Sequence, residues 1–332
     1  LVHRVEPYDI NTNDFVKKIM HLNFAMAERA VRLINEGTRF DVIHSHDWLS
    51  FYSAKLVKCS YNIPLVVTIH ATEYGRNNGI RTDMQKYISS VENKLCHEAC
   101  RVIACSNFMG KQINGLFNIP WDKIRLIPNG VDIKEFEFSF DWLNFRRRYA
   151  KDDEKIIFFI GRHVFEKGIQ LLIEASPMVI RKHNNVKFVI AGLGPMTEEI
   201  KDKVKSSRLS EKFLFTGYMD EDTKNKMYRV SNAAVFPSLY EPFGIVALEA
   251  MASKCPVVVS DTGGFSEIVK HEFNGLKAIS GVSESIADNI LRLLDDPALS
   301  ERIKNNAYNI VKEKYSWSKI AENTASVYRQ LI

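Results

Sequence analysis

The chain has 332 residues, 45% apolar and 26% charged, fractions ordinary for a soluble globular protein and enough for roughly two domains that need neither disulfides nor metals to hold a core. Its net charge of +5 comes from 45 Lys and Arg against 40 Asp and Glu spread along the sequence. That excludes a nucleic-acid-binding stripe but leaves ample cation for a small anionic substrate. No run of about 18 apolar residues exists, so no transmembrane helix is expected, and no signal peptide is visible.

The chain opens with Leu1, not Met, inside LVHRV, which reads as a strand; the true N-terminus is expected to lie outside it. FVKKIMHLNFAMAERAVRLI (15–34) is amphipathic and reads as a core helix rather than a membrane-surface one. Short β-branched runs then alternate with helical stretches: VIHSH (42–46), PLVVTIH (64–70), RVIACS (101–106) and IRLIPNG (124–130). Within LCHEAC, Cys96, His97 and Cys100 have helical spacing and no second ligand pair, so a helix face is expected rather than zinc. The five cysteines, with Cys59, Cys105 and Cys255, form no framework, which points to reduced thiols and a cytoplasmic location.

VDIKEFEFSFDWLNFRRRYAKDDEK lacks strand alternation and is expected to carry the domain boundary near 136–152. Its Arg146-Arg147-Arg148 cluster reads as a solvated helix face. Further strands follow: KIIFFIG (155–161), VKFVIAG (186–192), FLFTGYM (213–219), AAVFPS (233–238) and PVVVSD (256–261). Near-continuous apolar runs flanked by helices indicate buried parallel strands, and the alternation predicts a doubly wound α/β protein with two Rossmann-like domains, 1–135 and 136–315. An amphipathic helix over 316–332 closes the chain, with Ser316 or Ser318 as N-cap.

Ligands in such folds bind beyond the carboxyl ends of strands. In GRHVFEKG, Arg162 and Lys167 could clamp a diphosphate or cap a turn as surface cations. In SLYEPFGIVALEAMA, Glu241 falls in a loop and Glu249 one turn into a helix whose N-terminus offers amides to a phosphate. A charge in the apolar run VALEAMA needs a partner. Gly263-Gly264 in DTGGFSEIV allows a close backbone approach. His70 ends an apolar strand, as a ligand group or a satisfied core histidine. His44 and His46 share a strand face, and Asp47 either caps a helix or serves the site. Asp220-Glu221-Asp222 matches an acidic metal-binding pattern, yet opens a helix, where acidic residues are expected anyway; no metal is expected.

HSHDW (44–48), TIH (68–70), PNGVD (128–132), GRHVFEKG (161–168), AGLGP (191–195), FPSLYEPFGIVALEAMA (236–252) and DTGGFSEIV (261–269) together resemble the GT-B glycosyltransferases, most closely the starch and glycogen synthase and glycosyltransferase family four group. The resemblance implies a retaining transferase that moves a glucosyl unit from UDP- or ADP-glucose to a glucan, or alternatively a hexosyl- or mannosyltransferase with a lipid or small-molecule acceptor. It implies that Arg162 and Lys167 hold the diphosphate, Glu249 binds the ribose and Glu241 contacts the donor sugar. The amides of Phe243 and Gly244 would face the same region, with Gly263 and Gly264 near the nucleotide. His70 would stand near the anomeric carbon, Tyr218 and Met219 beside the base, and the last helix would cross back onto the N-terminal domain. No cofactor or metal is implied. The pattern is departed from at the start: family members begin with a strand and a glycine-rich loop, whereas Gly37 is the first glycine here. The N-terminal domain is therefore expected to lack its opening strand or strands. Such a chain could be an inactive glucan- or nucleotide-binding fragment, one that binds nucleotide yet transfers sugar poorly.

Overall fold

The computed structural model describes every residue except Ile10. Two compact units emerge, Leu1–Pro128 with Ala321–Ile332, and Asn129–Ile320.

The first unit contains α1 (Phe15–Asn35), β1 (Ile43–His46), α2 (Phe51–Tyr61), β2 (Leu65–Ile69), α3 (Glu73–Arg76), α4 (Asp83–Glu98), β3 (Arg101–Ala104), α5 (Asn107–Phe117) and β4 (Ile124–Leu126). Its strands form one parallel sheet in the order β1-β2-β3-β4. Every residue of β2 is buried, which is why its sequence is an unbroken apolar run ending in Thr and Ile. Caps set the helix limits: Thr82 and Gln85 form a capping box on α4, Ser106 caps α5, and Asn62 and Asn118 end α2 and α5 in the left-handed conformation.

Two expectations fail here. Residues 1–5 form no strand; His3 instead meets Arg29 of α1, 2.9 Å away. β-branched residues make a strand only where a ladder partner exists. Nor is α1 a core helix: only Asn23, Ala25 and Ala27 are fully buried, and Phe15 and Phe24 remain about half exposed. The helix packs on one side only. Buried Asn23 anchors it, donating to Leu49 O at 2.7 Å and accepting from Ser53 N at 2.9 Å. Strand β1 is an edge, and beside it runs a groove of about 450 Å³ lined by Met26, Phe40, Val42, Ile43 and Val57 among others.

The second unit contains α6 (Trp142–Arg147), β5 (Lys155–Ile160), α7 (Ile169–Lys182), β6 (Val186–Ala191), α8 (Thr197–Ser206), β7 (Phe213–Gly217), α9 (Glu221–Val230), β8 (Ala233–Phe236), α10 (Ile245–Ala252), β9 (Val257–Ser260), α11 (Phe265–Ile268), β10 (Leu276–Ala278), α12 (Ser283–Asp295) and α13 (Pro297–Lys314). Helix α14 (Trp317–Arg329) closes the chain, its residues from Ala321 onward belonging to the first unit. The sheet is parallel, ordered β10-β9-β8-β5-β6-β7. Its core joins Ile157, Phe159, Phe188 and Val235 of the strands to Leu172 and Val179 of α7 and Ile286 and Ile290 of α12.

The segment 136–152 lies within this unit, not between units. Val131 N donates to Tyr315 O at 2.8 Å, which ties the start of the unit to its end. The arginine cluster is not uniformly solvated either. Arg146 is 8% exposed and donates to the carbonyls of Lys151 and Glu154, Arg147 pairs with Asp152, and Arg148 lies over the Phe145 ring. It is the guanidinium that is buried, and the two turn carbonyls satisfy its donors.

Candidate functional site

In the second unit the chain starts at β5 mid-sheet, builds β6 and β7 on one side, then β8, β9 and β10 on the other. The order reverses between β5 and β8, and the crevice beyond those strand ends is the ligand position in such sheets. Arg162 and Lys167 follow β5, and Glu241 follows β8. Lys167 Nζ lies 2.8 Å from Glu241 Oε2, and Ser238 Oγ donates to the same oxygen at 3.2 Å. The loops are fastened through their backbones: Leu239 N donates to Glu166 O at 2.8 Å. Gly168, at φ +68°, lies so close to Pro237 that a Cβ would meet its carbonyl oxygen at 1.8 Å. Arg162 pairs with Glu166 at 3.5 Å, and its side chain is 66% exposed, so the guanidinium can reach a ligand.

A third loop, after β9, completes this wall. Gly264 N donates to Glu241 O at 2.7 Å, and a Cβ on Gly263 would fall 2.1 Å from that oxygen. The close approach these glycines permit is that of the Glu241–Phe243 backbone. Gly244, at φ +103°, opens α10, and among the described residues the amides of Phe243 and Gly244 have no hydrogen-bond partner. Tyr218 is exposed and Met219 buried at the end of β7.

Glu249 sits in its own network. Lys224 Nζ reaches its Oε1 at 2.8 Å, and the Tyr228 hydroxyl donates to Oε2 at 3.2 Å. Burial pushes the Glu249 carboxyl above its ordinary range, with the Lys224 ammonium opposing. For Lys224, burial works downward, but the carboxylates of Glu249 and Glu221 prevail and hold it charged. Each oxygen of Glu249 keeps acceptor capacity for a hydroxyl. Lys224 and Tyr228 are the members of this network that sequence reasoning missed. Their signal was spacing: Lys224, Met227 and Tyr228 share the buried face of α9, and a lysine on such a face implies an anion opposite. The acidic triplet before them serves the helix: Asp220 caps it, Glu221 pairs with Lys224 and Asp222 with Lys226.

In the first unit, three imidazoles stack at the ends of β1 and β2. His44 and His46 lie 4.4 Å apart between ring centroids, and His46 and His70 5.3 Å. His46 Nδ1 and His70 Nε2 are hydrogen-bonded at 3.0 Å. His44 is held by Thr68 at 2.8 Å and by Tyr328 of α14 at 2.5 Å. Burial, reinforced by the neighbouring imidazoles, pushes His44 down to about 4 and lowers His46, so both are neutral at pH 7. Asp47 makes no helix cap through its side chain. Its carboxylate accepts from His70 N at 2.8 Å, while its own backbone sits at φ +53°, ψ −175°, a region nearly reserved for glycine. Cys96 and His97 serve structure: the thiol is buried, and the imidazole meets Phe117 O at 3.0 Å.

Residues 141–310 match the family described as Glycosyl transferases group 1, and residues 6–135 match Glycosyltransferase Family 4. The chain is a GT-B glycosyltransferase of the family 4 type. This glycosyltransferase is 42% identical over 295 residues to an uncharacterized glycosyltransferase of Methanocaldococcus jannaschii, covering 88% of this chain and 75% of that protein. It is 32% identical over 321 residues to a glycogen synthase of Mycobacterium tuberculosis, covering 95% of this chain and 76% of that one. The sucrose-phosphate synthase of Thermosynechococcus elongatus superposes with a TM-score of 0.83 at 26% identity, over 99% of this chain and 82% of the other. Among the described residues no helix is long and apolar enough to cross a membrane.

Proposed function

We propose that this glycosyltransferase moves a glucosyl unit from UDP- or ADP-glucose to a glucan with retention of configuration. The Lys167–Glu241 pair at the β5/β8 reversal, 2.8 Å apart, carries the reading. It sets a cation for a diphosphate beside a carboxylate for sugar hydroxyls. The glycogen synthase relative and the HSHDW segment favour glucose and a glucan.

Arg162 and Lys167 neutralise the leaving diphosphate, Glu249 accepts from ribose hydroxyls, and Glu241 with the amides of Phe243 and Gly244 orients the hexose. Tyr218 and Met219 flank the base, and Gly263 and Gly264 hold the Glu241 loop in place. His70, fixed through Asp47 and His46, donates to a sugar hydroxyl as charge develops at the anomeric carbon. The acceptor hydroxyl attacks from the face the diphosphate leaves, and its proton passes to the departing phosphate oxygen, so no protein base and no metal are required. The five free cysteines fit a cytoplasmic setting.

A donor panel tests this. UDP-glucose, ADP-glucose and mannosyl donors are offered with maltooligosaccharide, lipid and small-molecule acceptors, and the product anomer is read by NMR. An α-glucosyl-extended oligosaccharide is expected. Transfer only from a mannosyl donor, or only to the other acceptors, overturns the glucan assignment, and nucleotide binding without any turnover points to a binding protein.

A further inference from the structure

The second unit holds a cavity of about 710 Å³, within the range of small-molecule sites. It lies away from the strand carboxyl ends. Helices α9 and α10 begin at those ends and run back, and Arg229, next to last in α9, and Ala252–Lys254, which end α10, line this cavity at the opposite edge of the sheet. The other walls are the irregular segment Phe136–Phe140, Trp142 at the start of α6, and α13 through Lys304 and Tyr308.

The walls are braced. Arg229 Nη1 donates to Phe136 O at 3.1 Å and Phe138 O at 2.8 Å, and its guanidinium lies 5.5 Å from the Phe138 ring centroid and 6.0 Å from that of Phe140. Opposite, the Tyr308 hydroxyl donates to Glu137, joining two walls, and Lys254 Nζ lies 4.7 Å from the Tyr308 ring centroid. Lys254 occupies the left-handed position after α10, at φ +55°, where glycine would fit without strain. Trp142 leaves 58% of its surface open at the rim. A smaller cavity of about 280 Å³ shares Phe140 with the first, so the surface extends beyond one compact ligand.

Charge decides the occupant. Arg229, Lys254, Lys304 and Glu137 line the cavity, and Lys304 is paired at 2.6 Å with Glu301, which lies outside the lining. The C-terminal ends of α9 and α10 add about half a negative charge each. With the α6 N-terminus adding about half a positive charge, roughly three and a half positive charges meet roughly three negative ones, so the net charge is small and selects neither anion nor cation strongly. What it offers is aromatic rings, Trp142 the most open of them, beside hydrogen-bonding groups of both kinds. Neutral hexose units match both features: their C–H faces stack on rings, and their hydroxyls both donate and accept.

We propose that this cavity binds a neutral oligosaccharide, away from the donor residues and independently of them. The site would anchor a glycan chain on the second unit. It deepens the glucan reading, yet holds for any neutral hexose chain.

The test uses the full chain. Maltohexaose and cellohexaose are titrated by calorimetry and by tryptophan fluorescence, with inorganic phosphate as a separate probe. One of the two hexaoses is expected to bind saturably. Trp142→Ala and Tyr308→Phe are each expected to weaken that binding at least fivefold, the second by freeing Glu137 without removing the ring, while UDP binding stays unchanged. Absence of saturable binding by either hexaose, binding indifferent to Trp142→Ala, or competition by phosphate overturns the proposal. If the hexaose binds here but accepts no sugar from any donor, the glucan-transfer reading fails and this one stands.

Discussion

Lys167 performs two duties that can be separated. Its ammonium neutralises Glu241, which is 6% exposed, and it faces the place proposed for the leaving diphosphate. Lys167→Ala therefore leaves a buried carboxylate unpaired and lowers stability. It also removes a charge whose effect grows as the diphosphate departs, so kcat should fall by roughly 10²–10³ with KM little changed. Adding Glu241→Gln should restore the melting temperature and leave the rate low; recovery of both would make the lysine purely structural. Glu92 behaves differently. It is 1% exposed and accepts from Glu73 N at 2.9 Å, and burial raises its carboxyl to about 8, against the opposing effects of that amide and of Arg76. A folded-state value above the unfolded one means the stability is full below the unfolded value near 4.5 and is lost as pH rises through 8. Glu92→Gln should match the wild type near pH 4.5 and exceed it at pH 9 by about 3–5 kcal/mol, the scale of such a shift. Urea unfolding at both pH values checks this, and an unchanging gap would show that the group is ionised in both states.

At the scale of elements, the sheets were legible because parallel strands buried on both faces are written as unbroken apolar runs. LVHRV and α1 were misread for one reason: burial depends on what lies opposite, and a single chain segment does not encode its partner. The edge position of β1 has a measurable consequence. Ile43 N donates to Pro64 O and Asp47 N to Thr68 O, both at 2.9 Å, so the alternate amides, those of His44 and His46, point away from β2 toward the groove. Hydrogen exchange should be fast at His44 and His46 and slow throughout Val66–Thr68, which is paired on both sides. Equal protection of the two sets would mean that another segment pairs with β1.

For the whole molecule, the site residues read from sequence were those at strand ends, where residue type and position coincide: Arg162, Lys167 and Glu241 stand at the reversal of strand order that the alternation of elements implied. The partners of the other candidate residues were harder to read, because pairing across sequence is not written in either segment, even where a buried-face lysine such as Lys224 implies some anion opposite. Tyr328 meets His44 across 284 positions, and Lys224 meets Glu249 across 25. The proposed duties divide between units: Arg162, Lys167, Glu241 and Glu249 share a unit with its own core, while His70 belongs to the other. If the nucleotide is held by the second unit alone, its ground-state affinity should not depend on His70. His70→Ala should leave UDP or ADP binding within about twofold while kcat falls roughly a hundredfold or more, the scale of removing one preorganised hydrogen-bond donor. Glu249→Ala should do the reverse first, weakening nucleotide binding about tenfold through lost ribose contacts, a change of about 1.4 kcal/mol. Calorimetry with the free nucleotide and steady-state kinetics with the sugar nucleotide separate the two. Should His70→Ala weaken free-nucleotide binding as much as Glu249→Ala does, both units contribute to ground-state binding and the division of labour is wrong.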